Sequence, residues 1–462
     1  PPRSTLFPYT TLFRSLRLMM AAAAAGQGSY QYEIAWTTLG EYLDHMEERG
    51  VSPNVASFVG ATTIRIHELG RDDVQPDAEQ LARMQELVRE AMREGALGVG
   101  TSLIYPPAFF AGNQEITALA QAAAEFGGGY VSHMRSEADR FLEALEETIG
   151  IARATGQRAE VYHLKAAGEH NWPKMAQAID MIRQARAEGV QVSANMYAYT
   201  AGATGLTVAL PPWVQAGGRA EMERRLRDPE IRARVINEMR APGEWENLRL
   251  LTGSDERVLL TGFRNPALRE LAGQTLAEVS AARGTSPEDT IIDLILEDGS
   301  RVGTAYFLMS EENVELGLRQ PWVSLGSDSG AMAPEGVFLN SNPHPRAYGN
   351  FARFLGHYVR DRGLMPLEEA IHRLTGLPAA NWKLRDRGCL DPGCHADIVV
   401  FDPEAIADHA TYARSQQLAT GVSDVFVNGV QVLDAGQHTG ATPGRVVRGP
   451  GWRGWDAAAD EP

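Results

Sequence analysis

Three residues of this chain have the type and the setting to do chemistry together: His133 in SHMRSE, His163 in YHLKAAG and Asp328 in GSDSG. Each stands at the end of a short β-rich run, and the two histidines lie thirty residues apart. Imidazoles on adjacent parallel strands can reach one zinc ion. An aspartate on a third strand beside that ion can take a proton from a water molecule. A lone histidine on a strand is more often structural. Two at the same place in consecutive units, with an aspartate at a third strand end, favour a shared site.

Such strand ends converge only if the strands are parallel and closed around one mouth. The runs Tyr130–Met134, Ala159–Lys165 and Val190–Tyr199 alternate with helical patterns over Glu137–Thr155 and Lys174–Glu188. That period of about thirty residues is the βα unit of a parallel sheet. Upstream, Val55–Ile66 (VASFVGATTIRI) is rich in β-branched residues and reads as a strand. Asp77 predicts the N-cap of a helix that carries Leu81, Met84, Leu87, Val88 and Met92 on one face and stops at Gly95. Gly95–Pro107 then reads as a strand ending in a turn, and Gln114–Phe126 as a helix. No glycine-rich dinucleotide loop follows any strand, which favours a (β/α)8 barrel over a doubly wound fold.

The rhythm breaks after Thr200. About 120 residues, including a charged helix over Arg219–Met239 and a break at Pro242 and Gly243, separate it from the next strong strand, Trp322–Gly330. This stretch reads as a long, lid-like insertion. After a helix at Pro366–Leu374, strands at Ala396–Asp402 and Asp424–Leu433 predict a small β appendage; the second turns on Asn428-Gly429, a strong hairpin signal. The tail after Trp452 reads as loose. The expected organisation is therefore an anomalous segment over residues 1–15, a partial barrel over 16–385 with an insertion at about 205–320, and a β subdomain with tail over 386–462. The first fifteen residues, PPRSTLFPYTTLFRS, resemble a translated sequencing adaptor and stand outside the fold reading. Leu16–Gly26 reads as a helix of the fold rather than as a signal-peptide core.

Composition narrows the function classes. Hydrophobic residues make up 44% of the 462 and charged residues 22%, which fits a globular chain. Lys and Arg total 43 against 59 Asp and Glu, and the formal charge of −16 argues against a nucleic-acid partner. No apolar run reaches the roughly 18–20 residues of a transmembrane helix, so no membrane partner is expected. The only cysteines, Cys389 and Cys394, exclude a disulfide framework and a four-cysteine zinc site. Together with His395 they read as a turn rather than as a metal cluster.

The segments GALGVGTSLIYPPAFFA, GGGYVSHMRSE, VYHLKAAG, ANMYAYTAGATGL, the SDSG strand end, HPRAYGNFARFLGHYVRD and LTGLPAANWKLRDRGCLDPGCHADIVVFDP occur in this order. Over roughly residues 25–450 the chain resembles the D-aminoacylase (N-acyl-D-amino-acid deacylase) family of the amidohydrolase superfamily. The resemblance implies a (β/α)8 TIM-type barrel with a C-terminal β-sandwich-like subdomain, and zinc as cofactor. The implied substrate is an N-acyl-D-amino acid, whose linear amide bond is hydrolysed to a carboxylate and a D-amino acid. It also implies roles: His133 and His163 as zinc ligands, Asp328 as catalytic acid–base, Arg346 as the grip on the substrate carboxylate and Tyr197 as a substrate contact. Where the family carries a small hydroxyl residue this chain has Ala203, with Thr204 beside it. His344, two residues before Arg346, is read as lining the mouth and touching substrate.

The family also carries a His-x-His pair and a cysteine ligand early in the barrel, and this sequence has neither. Strand starts near residues 55, 97, 130, 160, 190 and 322 make about six of the eight barrel strands. The expectation is thus an N-terminally truncated deacylase, inactive on its own. Lys165 is expected to make an ordinary polar contact and His67 to be a satisfied residue at a strand end. Arg135 and Glu137 are candidates to orient His133. Two rivals stand beside this reading: another amidohydrolase reaction, such as cyclic-amide opening or dipeptide hydrolysis, and a non-catalytic barrel that binds a ligand.

Overall fold

The computed structural model describes residue 34 and residues 36–455, so the expectations for residues 1–15 and 16–26 lie outside the described residues. Its centre is a six-stranded parallel sheet. In chain order the strands are β1 (Val59–Gly60), β2 (Gly98–Ser102), β3 (Gly129–His133), β4 (Ala159–Val161) and β5 (Val192–Met196). Then comes an antiparallel set, β6 (Ala201–Gly205), β7 (Val258–Gly262) and β8 (Gly303–Phe307), before the parallel sheet resumes with β9 (Val323–Leu325). The parallel order is β1-β2-β3-β4-β5-β9. These are the six strands expected from the sequence. Among the described residues, β1 and β9 are its edges.

The helices between the strands form for reasons legible in their residues. Asp77 caps Ala78–Arg93 in a capping box with Gln80, and Met84, Val88, Ala91 and Met92 face the core. Asn113–Ala124, Phe141–Thr155 and Lys174–Ala187 likewise bury one apolar face against the sheet, without a side-chain N-cap. One segment differs from the sequence reading: residues 61–69 form a helix, not a strand. Ile64 and Ile66 are buried there, and Arg65 pairs inside the protein with Glu115. His67 accordingly sits in the last turn of a helix and not at a strand end. The predicted helix Arg219–Met239 is two helices, Arg219–Arg227 and Pro229–Met239, because Asp228 stays extended before Pro229 and caps the second.

Close approach of β2 and β3 depends on glycine. A Cβ on Gly98 would stand 1.9 Å from the backbone carbonyl of Gly129, which cannot move without breaking the strand pairing at that register. Gly98→Ala is therefore expected to destabilise the chain by about 3 kcal/mol or more, the upper end of overpacking costs. Urea unfolding of the two proteins checks this, and equal midpoints would show that the sheet yields there.

The insertion has its own hydrophobic core, in which Leu206, Val214, Val258, Leu260, Ile291 and Ile295 are fully buried. In its sheet, β8 lies between β6 and β7, with Ala201 opposite Phe307 and Val258 opposite Tyr306. The C-terminal sheet runs β10 (Ile398–Phe401), β11 (Val422–Val427), β12 (Val430–Asp434) and β13 (Gln437–His438), all antiparallel. Its hairpin turns on Asn428 and Gly429, both at positive φ (49° and 80°), as an Asn-Gly two-residue turn requires. Cys389 and Cys394 form one disulfide across a short loop. The segment expected to be loose packs, as far as it is described: Trp452 and Trp455 meet edge to face at 5.0 Å. Among the described residues, no helix is long and apolar enough to cross a membrane.

Candidate metal and substrate site

β3 and β4 are neighbours in register, with Ser132 opposite Val161, so the residues leaving their C-terminal ends emerge side by side. His133 is the last residue of β3; His163 follows β4 by two residues. Nδ1 of His133 lies 2.8 Å from Nε2 of His163. Both rings are buried, and burial holds both imidazoles neutral well below the usual 6.5. Glu137, one turn after His133, brings a buried carboxylate to the pair: Oε1 is 2.8 Å from Nδ1 of His163, and Oε2 is 3.9 Å from Nε2 of His133. Donor atoms of His133, Glu137 and His163 all lie within 4.8 Å of one another.

Lys165 closes the group. Its ammonium donates to Oε1 of Glu137 and to Nδ1 of His163, both at 2.6 Å, from a buried position. The sequence reading gave Lys165 an ordinary polar contact; the structure puts that contact inside the candidate site. With Nδ1 of His163 accepting from Lys165, Nε2 of His163 is left to donate to His133. Nε2 of His133 is then buried without a hydrogen-bond partner. An orphaned imidazole nitrogen beside a second imidazole and a carboxylate is a donor set that suits zinc.

The backbone at these strand ends is unusual. His163 has φ 45° and Asp328 has φ 49°, in the left-handed region that residues other than glycine seldom occupy. At His163 the turn is held from inside the sheet. Oδ1 of Asn195 accepts the His163 N–H at 2.9 Å, and Nδ2 of Asn195 donates to Glu160 at 2.8 Å. Glu160 also accepts from Ser193 at 2.7 Å, and its burial pushes its carboxyl upward.

Asp328, just beyond β9, pairs with Arg346: Oδ2 lies 2.8 Å from Nη2. Arg346 is the first residue of the helix Arg346–Arg353 and is buried, yet its Nε and Nη1 have no hydrogen-bond partner. The ring of Tyr197 lies 4.4 Å from the guanidinium and fixes its plane. Burial pushes the Tyr197 hydroxyl far above its ordinary value, so it stays protonated.

Two expectations are revised. His344 is buried with both ring nitrogens engaged by backbone: Nδ1 accepts the Arg346 N–H at 3.0 Å, and Nε2 bonds the carbonyl of Ala201 at 2.9 Å. It ties the Arg346 helix to β6. Arg135 does not orient His133; it forks onto Glu147 at 3.0 and 3.1 Å and donates to the carbonyls of Phe109 and Ala111. Thr204, the neighbour of Ala203, accepts from the Tyr105 hydroxyl at 3.0 Å and joins the insertion to the loop after β2.

The neutral buried histidines set a pH dependence. His133, His163 and His344 all have lowered pKa values in the folded chain, so below pH 6.5 the unfolded chain binds more protons than the folded one. Stability of the metal-free chain is therefore expected to fall as the pH drops through 6.5 and below. The slope can reach about 1.4 kcal/mol per pH unit for each histidine. Melting temperatures between pH 8 and 5 measure it; a flat profile would show that these rings are not held neutral.

The Amidohydrolase family matches residues 10–433. The chain is 34% identical over 422 residues to the D-aminoacylase of Alcaligenes xylosoxydans xylosoxydans, covering 91% of this chain and 74% of that protein. It is 31% identical over 407 residues to the N-acyl-D-glutamate deacylase of the same organism, covering 88% and 72%. Among solved structures, a D-aminoacylase described as defining a novel subset of amidohydrolases matches with a TM-score of 0.74 at 32% identity, over 89% of this chain and 75% of that one. The N-acyl-D-glutamate deacylase of Bordetella bronchiseptica, complexed with zinc and a phosphonate mimic of the tetrahedral intermediate, matches with a TM-score of 0.75 at 30% identity, over 93% and 78%.

Proposed function

The chain belongs to the amidohydrolase family, and from that premise we propose that it hydrolyses the linear amide bond of N-acyl-D-amino acids to a carboxylate and a D-amino acid. The observation that carries this reading is the buried His133–Glu137–His163 group at the same strand-end mouth as the Asp328–Arg346 pair. The expectation of an inactive chain counted two zinc ligands, His133 and His163; Glu137 brings a third to the group, and activity of this chain is proposed on that ground.

His133 and His163, with Glu137 as third ligand, are the residues that would hold zinc. When bound, zinc supplies Lewis-acid polarisation of the acyl carbonyl and eases ionisation of water. The rest falls to side chains. The free Nε and Nη1 edges of Arg346 suit a carboxylate, which a planar guanidinium binds in a fork. Tyr197 keeps that fork in plane. Asp328 accepts a proton from the attacking water and returns it to the amine as the C–N bond breaks. The new C–O bond leaves with the acyl carboxylate, and the proton leaves with the amino acid. Lys165 offsets the negative charge of Glu137 in a space closed to water.

The test is a panel of N-acetyl-D- and N-acetyl-L-amino acids, cyclic amides and dipeptides given to the zinc-loaded protein, with free amino acids resolved by chiral chromatography. Release from the D-substrates is expected. Release only from cyclic amides or dipeptides, or none while zinc is bound, would overturn the reading.

A further inference from the structure

Glu246 belongs to the insertion, more than a hundred residues beyond Glu137 in sequence, yet its side chain ends at the turn that carries Glu137. Oε1 accepts the Ser136 hydroxyl at 2.8 Å and also the backbone N–H of Glu137. Ser136 in turn accepts the N–H groups of Ala138 and Arg140, each at 3.2 Å, which shapes the turn between β3 and the helix Phe141–Thr155. The carbonyl of Glu137 is tied on its other side, accepting the Ala167 N–H at 2.7 Å. Both peptide groups of Glu137 are thus fixed, one by the loop after β4 and one by the insertion.

We infer that Glu246 is a positioning residue for zinc: it fixes the turn that carries Glu137 and so makes the metal affinity of the site depend on the insertion. This rests on the reading of His133, Glu137 and His163 as the zinc-binding group.

A merely structural role explains the contact less well. Glu246 is only 8% exposed, and its second oxygen is buried with no partner, so the carboxyl pays a desolvation cost for one set of bonds. Burial, with the charge of Glu137 beside it, pushes the carboxyl up to about 8. Holding the insertion segment itself falls to the next residue. Asn247 caps the short helix Leu248–Leu251 and donates to the carbonyl of Met239 at 3.0 Å. The two faces around Glu246 are not packed solid either. A cavity of about 470 Å³ lies between them, lined by Phe109, Arg140, Glu143, Trp245 and Leu251 among others. Across that gap the polar bonds of Glu246 fix the spacing.

Competition of the purified chain against a chromogenic zinc chelator tests this without any need for turnover. E246A is expected to bind zinc about 10- to 100-fold more weakly, the usual cost of losing a partner that orients a ligand. E246Q keeps an acceptor oxygen in place and is expected to restore most of the affinity. S136A removes only the bridging hydroxyl and is expected to weaken zinc in the same direction; it decides the matter should E246A not fold. N247A, which loosens the insertion segment without touching Ser136 or Glu137, is expected to lower the melting temperature and leave zinc affinity unchanged. Parent-like affinity in folded E246A and S136A would overturn the inference, as would an equal loss in N247A. A parent chain that binds no zinc would sink the metal reading itself, and its own titration distinguishes that failure from the others.

Discussion

Asp328→Asn is expected to lower kcat on an N-acyl-D-amino acid by about 10²- to 10⁴-fold, the range for removing a general acid–base group. Zinc content should be unchanged, because Asp328 lies outside the donor group formed by His133, Glu137 and His163. The asparagine keeps the size of the side chain and an oxygen facing Nη2 of Arg346, so the geometry of the pair at 2.8 Å should survive. What it loses is the ability to hold a proton between water and amine. KM should therefore move little. Near-parent turnover with zinc bound would remove Asp328 from the mechanism.

The second large effect falls on binding. Arg346→Lys keeps a positive charge near Asp328 but cannot present two parallel N–H bonds to a carboxylate, and the stacking on Tyr197 is lost. Breaking a buried, hydrogen-bonded charge pair costs about 2–5 kcal/mol, which corresponds to a rise in KM of roughly 30-fold or more. Arg346 also bonds Asp328, so kcat is expected to fall as well, and KM is the readout of carboxylate binding. A substrate whose carboxylate is replaced by a primary amide supplies the control. Parent and R346K should share one KM for it if Arg346 reads the carboxylate. A KM for the acid that is equal in both proteins would place the carboxylate elsewhere.

How much of this was legible in the residues varies with the range of the signal. The βα period is local, because each strand and its helix lie within thirty residues, and all six parallel strands were placed within a few residues of their observed starts. The run VASFVGATTIRI failed for a definable reason. A β-branched stretch of that length fits a buried strand or a short buried helix equally, and Gly60 ends the strand after two residues. The antiparallel sheet of the insertion was not seen at all. Its strand AGATG has no alternation to read, and it pairs with a strand about a hundred residues away, so its stability is a property of the assembled fold. In the site, His133, His163 and Asp328 announced themselves by position in a repeat. Glu137 was only a neighbour of His133 in sequence, and its role depends on the turn that folds it back. Lys165 was visible, but nothing in the sequence said that its ammonium would meet a carboxylate from one strand away. Glu246 gave no signal, since its partners lie more than a hundred residues upstream.

The left-handed backbone at His163 and Asp328 bears on how this chain can change over generations. Glycine at either position would relax the turn by roughly 1 kcal/mol or more. Mutations there that stabilise the fold are therefore the same mutations that erase the chemistry, and mutational drift under selection for stability alone runs toward them. Only continued demand for turnover holds a histidine and an aspartate in those conformations. In a lineage that no longer met its substrate, these two codons would be among the first to decay, while the sheet beneath them gained in stability.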